Sequence, residues 1–149
     1  PLVIWLNGGP ACSSMDGLFI ENGPFRFEMD DDLNFRLKPD PNSWHKLPAY
    51  TLYIDQPVGT GLSFTTAQVY PRNDDMLNAD FYYFLQQFLH FHSDKFVDGT
   101  AMNRHLFFAG ESFAGHYNAI FTNHLLKRNA YLRHGDVRIP VKGAAIGNG

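Results

Sequence analysis

The stretch "RHLFFAGESFAGHY" (residues 104–117) joins a short apolar run to a serine that is enclosed by small residues. Its first half predicts a buried β-strand and the residues from Ala114 to Arg128 predict a helix, so Ser112 falls on the turn between them. A sharp Gly-x-Ser-x-Ala turn lifts a serine hydroxyl above a sheet and sets the N–H of Phe113 beside it as an oxyanion donor. Ser112 is therefore a candidate nucleophile, and the alternative is a serine that caps the helix.

Other apolar runs extend this picture to a parallel α/β sheet. Three runs bounded by turn residues predict strands at 1–6, 49–55 and 141–147. Between the second and third of the four strands, helical spacing predicts one apolar stripe formed by Phe81, Phe84, Leu85 and Phe88. Strands that alternate with helices, and that are apolar almost throughout, are typical of a parallel sheet buried on both faces.

The segment 25–44 follows a different pattern. Apolar and polar residues alternate around the acidic run Asp30-Asp31-Asp32, which predicts a hairpin with a solvated turn. We expect this hairpin at the edge of the sheet.

Composition limits the function classes. A chain of 149 residues with 44% hydrophobic residues is long and apolar enough to bury a core. Its net charge of −3 and its scattered basic residues do not form a nucleic-acid footprint. No apolar run is long enough to span a bilayer. Because the chain opens directly on an apolar run and ends as a strand reaches its turn, we expect residues 1–149 to be part of a longer polypeptide. Cys12, the only cysteine, is compatible with a buried thiol, a reactive thiol or half of a disulfide.

Two glycines follow the first predicted strand. In "NGGPACSS" (7–14), Gly8 and Gly9 allow the backbone to approach a ligand closely, and Pro10 stiffens the turn. An oxyanion hole requires a second N–H, which commonly comes from the loop after an earlier strand of the same sheet. This loop is the candidate for that donor, and an ordinary glycine turn is the alternative.

Six blocks in order resemble the serine carboxypeptidases, which are exopeptidases of the α/β-hydrolase fold. The blocks span the whole chain, and they are "WLNGGPACSS" (5–14), "ENGPF" (21–25), "NSW" (42–44), "LYIDQPVGTGLS" (52–63), "GESFAGHY" (110–117) and "IGNG" (146–149). The resemblance implies that residues 1–149 are the N-terminal part of a catalytic domain.

The resemblance also implies a role for each matching position. Ser112 matches the nucleophile, and Gly9 and Phe113 match the residues whose N–H groups form the oxyanion hole. Trp5 matches a residue that supports the site for the substrate's terminal carboxylate. That site itself is matched by Asn7, Gly8, Glu21 and Glu111. Cys12 matches a position that forms a disulfide, whose partner we expect outside this chain.

The two glutamates predict acid-favoured activity. If Glu21 and Glu111 lie close together, burial and like-charge repulsion raise the apparent pKa of the pair. One of them then keeps its proton and donates a hydrogen bond to the substrate carboxylate, so kcat/KM is expected to fall as the pH rises.

None of the seven histidines is an obvious base. His116 follows Ser112 by one helical turn, but we expect it to lie along the helix, away from the raised serine. In α/β hydrolases the triad runs Ser, then Asp or Glu, then His. His134 and Asp136 follow Ser112 too early in the fold, so we expect both triad partners beyond Gly149. The isolated segment is accordingly expected to be inactive. No histidines are spaced as metal ligands, and neither a metal nor a cofactor is implied.

Several positions depart from the family pattern. Ala11 replaces a glycine and is strained if that position requires a positive φ, and Phe113 replaces a frequent tyrosine. Asn118-Ala119 stands where an apolar-proline pair is usual, and His92 stands where proline is common. These departures leave two alternatives to the carboxypeptidase: an acyltransferase on the same scaffold, and a degenerate non-catalytic member.

The resemblance further implies peptide or protein C-termini as substrates. It implies a location in the secretory pathway, in the vacuole or lysosome, or outside the cell. No nucleic-acid partner is expected.

Overall fold

The computed structural model describes all residues from Pro1 to Gly149. In chain order its main elements are β1 (Leu2–Leu6), β2 (Phe25–Met29), β3 (Phe35–Pro39), β4 (Tyr50–Tyr53), α1 (Asp74–Phe91), α2 (Ser93–Phe96), β5 (Val97–Asp98), β6 (Ala101–Met102), β7 (Leu106–Glu111), α3 (Ala114–Ala130) and β8 (Val141–Gly147). A π-helical turn covers Gly17–Glu21 and a 3-10 turn covers Trp44–Lys46.

Four of these strands form the predicted parallel sheet. Their order is β4-β1-β7-β8, and every neighbouring pair is parallel. The register sets Leu6 beside Gly110 and Glu111 beside Gly147, so the ends of β1, β7 and β8 meet at one edge of the sheet. Because parallel strands end on the same edge, the loops that follow them gather there.

The core lies between this sheet and its helices. Ile4, Leu6 and Phe108 from the strands are almost completely buried. Phe81 of α1 stacks on Phe121 of α3 with ring centroids 3.9 Å apart. Burying large aromatic rings in this way supplies much of the hydrophobic stabilisation of such a layer. None of the helices is both long and apolar enough to cross a membrane.

The predicted stripe on α1 is only partly correct. Phe81 and Leu85 are buried, but Phe84 is 39% exposed, and Tyr82 and Leu89 take places in the core. The predicted spacing left out Tyr82 because it lies one residue after Phe81 and so falls outside the stripe. Its ring is buried and its hydroxyl donates to the Asp136 carboxylate over 2.7 Å.

The predicted position of the hairpin is wrong. β2 and β3 do pair with each other as expected, but they form a separate two-stranded antiparallel sheet. The Arg26 guanidinium donates to the carbonyls of Ile20 and Glu21, and the Phe27 ring contacts Phe19. The hairpin is therefore attached to the π-helical turn and not to a strand of the central sheet.

Candidate active site

The turn between β7 and α3 is a strained elbow. Ser112 has φ +54°, a left-handed conformation that costs an L-residue roughly 1–2 kcal/mol. Its N–H donates to the carbonyl of Gly147 over 2.8 Å, which fixes the turn against the end of β8. Phe113 is the N-cap of α3 and no side chain caps that helix. Ser112 is therefore not a helix cap, and its side chain stands exposed at the edge where the strands end.

The loop 7–14, the glycine loop, lies directly against this elbow. A Cβ at Gly8 would come within 2.7 Å of the Phe113 nitrogen and 2.8 Å of the Ser112 Cβ. Gly9 has φ +108°, a conformation that favours glycine. The N–H groups of Gly9 and Phe113 donate to no protein acceptor. Both of these unpaired donors adjoin the close contact between loop and elbow, since Gly9 follows Gly8 and Phe113 follows Ser112.

Ala11 has the positive φ that makes its side chain costly. Its φ is +65°, so alanine stands in a conformation that glycine adopts more easily. Its N–H donates to the hydroxyl of Tyr117 over 3.3 Å. Tyr117 belongs to α3, where its side chain is buried, and burial raises the pKa of its hydroxyl. This neutral hydroxyl holds the strained residue in place.

Asn7 brings two carboxylates together beside the elbow. Its side-chain nitrogen donates to Glu21 over 2.8 Å and to Glu111 over 3.2 Å. Its side-chain oxygen accepts from the Trp5 indole N–H over 2.8 Å and from the Gly17 N–H over 3.1 Å. All four hydrogen-bonding positions of this buried amide are used, so its orientation is fixed.

The Trp5 indole is itself held in place. Trp44 meets it edge to face at 5.4 Å between ring centroids. This contact packs the ring of the NSW block against the support of Asn7.

The electrostatics of Glu21 follow from this geometry. Burial raises the pKa of the Glu21 carboxyl, and repulsion from Glu111 and Asp16 raises it further, against the hydrogen bond from Asn7. The same environment, mainly burial and then the Glu21 charge, raises the pKa of Tyr53 to about 12. Glu21 therefore holds a proton at a pH where an exposed carboxyl has lost it, and a protonated carboxyl can donate to an anionic ligand.

The histidines near the site make other contacts. The His116 imidazole pairs with Asp74 of α1 at 3.0 Å, and its side chain is 41% exposed. It lies at the surface and not within a packed interface, and no hydrogen bond joins it to Ser112. Asp136, the early acid, is held by Tyr82 and Arg128. No group of His, Cys, Asp and Glu side chains is arranged to hold a metal ion.

A family model of the serine carboxypeptidases matches residues 1–149. The chain belongs to this family. Among curated serine carboxypeptidase relatives, Serine carboxypeptidase S10 family member 2 of Dictyostelium discoideum is 44% identical over the whole chain, which covers 25% of that protein. The pheromone-processing carboxypeptidase KEX1 of Phytophthora infestans is 40% identical, again over the whole chain and over 24% of its own length. The chain thus spans about a quarter of the length of these relatives.

A solved serine carboxypeptidase structure confirms the predicted fold. The prohormone-processing carboxypeptidase Kex1(Δ)p from Saccharomyces cerevisiae superposes with a TM-score of 0.79 at 33% identity. The match covers 99% of this chain and 30% of that one. The chain has the α/β-hydrolase fold, of which this is an incomplete segment: a parallel sheet with its helices.

The structure gathers the positions that the serine carboxypeptidase resemblance assigned. The elbow and the glycine loop are in close contact at Gly8, and Cys12 is exposed beside Gly9. The carboxylate cluster stands next to them, formed by Trp5, Asn7, Glu21 and Glu111. Sequence reasoning missed how far other residues support this arrangement, above all Asp55, Ser14 and Tyr117. Asp55 stands directly after a buried strand and within the block 52–63 that resembles the family, which indicated a role in shaping a loop near the site.

Proposed function

We propose that this protein is a serine-type carboxypeptidase, and that residues 1–149 are the N-terminal part of its catalytic domain. The observation that carries the proposal is the Asn7 amide, which joins two carboxylates beside a serine on a strained turn. An ordinary serine hydrolase requires the turn but has no use for two acids that are joined by a buried amide. Membership of the serine carboxypeptidase family supports the same activity.

Ser112 carries the covalent step. Its Oγ attacks the scissile carbonyl carbon, and the N–H groups of Gly9 and Phe113 donate to the oxygen that becomes negative. Collapse of the tetrahedral intermediate releases the C-terminal residue as the amine and leaves an acyl-enzyme, which water then hydrolyses. A histidine takes the proton from Ser112 and delivers it to the leaving amine, and an aspartate orients that histidine. We place both outside residues 1–149, since no histidine of this chain bonds to Ser112.

The carboxylate cluster selects a free C-terminus. Both N–H groups of the Asn7 side chain donate to the glutamates. A bound substrate carboxylate therefore either replaces one glutamate as the acceptor or accepts a hydrogen bond from the protonated carboxyl of Glu21. Gly8, which the resemblance also assigns to this site, lies in the same loop, directly against the elbow. Because burial and the neighbouring acids raise the pKa of Glu21, the protonated form persists to higher pH. Affinity is then highest in acid and falls as the pH rises through the raised value.

Peptides that differ only at their C-terminus test this proposal on the complete polypeptide. An N-blocked dipeptide with a free carboxylate is expected to be cleaved much faster than its C-terminal amide, and Ser112→Ala is expected to abolish both reactions. Equal rates for acid and amide would exclude a carboxylate-reading site. Cleavage that survives Ser112→Ala would exclude the nucleophile.

The alternatives make different predictions. An acyltransferase would transfer the acyl group to an alcohol and would not need the cluster of Asn7, Glu21 and Glu111. A degenerate member would lack the late Asp and His and would not hydrolyse any peptide. Since the cluster is intact, its geometry favours the peptidase.

Membership of the family supports a proposal for the substrate and the location. We propose peptide or protein C-termini as substrates, with no cofactor and no nucleic-acid partner. We also propose a location in the secretory pathway, the vacuole or lysosome, or outside the cell, where an acid-favoured peptidase can work.

A further inference from the structure

Asp55 is a buried acid that the proposed reaction does not use. It follows β4 by two residues, and its side chain is paired with no cation. One carboxylate oxygen accepts from the Ser13 hydroxyl over 2.7 Å and from the Ser14 N–H over 2.8 Å. The other accepts from the Leu62 N–H over 2.9 Å. Three neutral donors satisfy the carboxylate, and two of them belong to the glycine loop.

The loop around residues 57–63 closes over the same carboxylate. A Cβ at Gly61, which has φ +52°, would overlap an oxygen of Asp55. The Ser63 hydroxyl donates to the backbone carbonyl of Asp55 over 2.7 Å. Leu62 and Ser63 therefore fix Asp55 in place. In this fixed position its carboxylate accepts the hydrogen bonds from Ser13 and Ser14 of the glycine loop.

Ser14 transmits this restraint to the start of the glycine loop. While its N–H donates to Asp55, its hydroxyl oxygen accepts from the Asn7 N–H over 3.1 Å. The loop 7–14 is thus closed at both ends on one serine, and that serine is fixed by Asp55. Between these ends lie Gly9 and Ala11, both at positive φ. A loop with two left-handed residues keeps such a conformation only where its surroundings enforce it.

We propose that Asp55 is a positioning residue that fixes the Gly9 N–H for oxyanion stabilisation. This inference rests on the proposed function. It distinguishes two neighbouring parts of the site, because the Asn7 side chain has supports of its own in Trp5 and Gly17. Loss of the Asp55 carboxylate therefore disturbs the glycine loop and leaves the carboxylate cluster in place.

Asp55→Asn tests the proposal on the complete polypeptide. The asparagine side chain turns one acceptor into a donor, which then faces the N–H of Leu62 or the donors of Ser13 and Ser14. Since a misplacement of about 1 Å costs roughly 100-fold in rate, we expect kcat for an N-blocked dipeptide to fall by about 10- to 100-fold. The rate of labelling by a fluorophosphonate, which needs no terminal carboxylate, should fall by a similar factor. KM should stay within about threefold of the wild-type value.

Asp136→Asn is the matched control. Asp136 also accepts three hydrogen bonds, from Tyr82, Arg128 and the Arg133 N–H, but in a network away from the glycine loop. We expect it to lower the melting temperature while kcat per titrated site is retained. This contrast separates loss of folded enzyme from loss of positioning.

Two results would overturn the proposal. The first is a raised KM with an unchanged labelling rate, which would assign Asp55 to the carboxylate cluster. The second is an Asp55→Asn enzyme whose kcat per titrated site equals that of the wild type. If Asp55→Asn does not accumulate as folded protein, Ser13→Ala decides: at least a twofold loss of kcat at constant KM supports the proposal, and wild-type kcat refutes it. Failure of the wild type itself to be labelled would instead count against the proposed function.

Discussion

Gly8→Ala tests the close approach between the glycine loop and the elbow. The added Cβ would meet the Phe113 nitrogen at 2.7 Å, about 0.7 Å inside the 3.4 Å at which ordinary contact begins. It would also meet the Glu111 carbonyl oxygen and the Ser112 Cβ at 2.8 Å. Two of these three atoms are backbone, so the loop has to move away from the elbow by several tenths of an ångström. Gly8 does not have a positive φ, and the effect of the alanine therefore comes from this contact alone.

The size of the effect follows from that displacement. Removing one oxyanion donor costs about 100- to 1000-fold in kcat, so separating the Gly9 and Phe113 N–H groups by about 0.7 Å should cost about 100-fold. That factor corresponds to about 2.7 kcal/mol of lost transition-state stabilisation. Overpacking should also lower the free energy of unfolding by about 1–3 kcal/mol.

The assay is kcat/KM for an N-blocked dipeptide on the complete polypeptide, normalised to folded protein. Gly143→Ala is the matched control, because its Cβ would meet the Phe107 ring at 3.5 and 3.6 Å, which is ordinary contact. The control should retain activity within about twofold. A Gly8→Ala enzyme as active as this control would refute the close-approach geometry.

Three other substitutions test separate parts of the account. In Glu21→Gln, the side-chain amide can donate to the substrate carboxylate at any pH. KM should therefore vary much less between about pH 5 and 8 than in the wild type, where KM rises with pH. An equal rise of KM in both enzymes would contradict the role of Glu21. Phe81→Ala removes the ring stacked on Phe121 and should lower the free energy of unfolding, measured by denaturant titration, by about 3–5 kcal/mol. A loss below about 1 kcal/mol would show that the stack is not part of the core. Asn118 is fully buried and neither amide atom has a partner, so Asn118→Val should raise the free energy of unfolding by about 1 kcal/mol, whereas destabilisation would mean that the amide is satisfied.

The sequence predicted the parallel sheet because its pattern is strong there. The runs around Leu6 and Phe108 are apolar on both faces, and each is followed by glycines or a serine turn. The hairpin was misplaced because alternation shows only that two strands pair, and it does not show what the pair packs against. Its attachment depends on Arg26 reaching two carbonyls of the π-helical turn, a contact between particular atoms that no periodicity records.

The candidate site was predictable in its residues and less so in its supports. Ser112, Gly9 and the two glutamates stand in short motifs of recognisable order, and the structure brings them to one edge of the sheet. Asp55 and Tyr117 were harder to assign because each acts on a loop distant in sequence, over separations of 41 to 42 and 106 residues. Only the folded chain shows that these two side chains form hydrogen bonds with the loop 7–14.

The most direct test of the central claim is the position of a covalent adduct. The complete polypeptide is treated with a fluorophosphonate at acid to neutral pH, digested and mapped by mass spectrometry. We expect a single adduct on Ser112, formed at a rate that Gly8→Ala and Asp55→Asn reduce. An adduct on Ser13 or Ser14 with Ser112 unmodified, or no adduct at all, would contradict it.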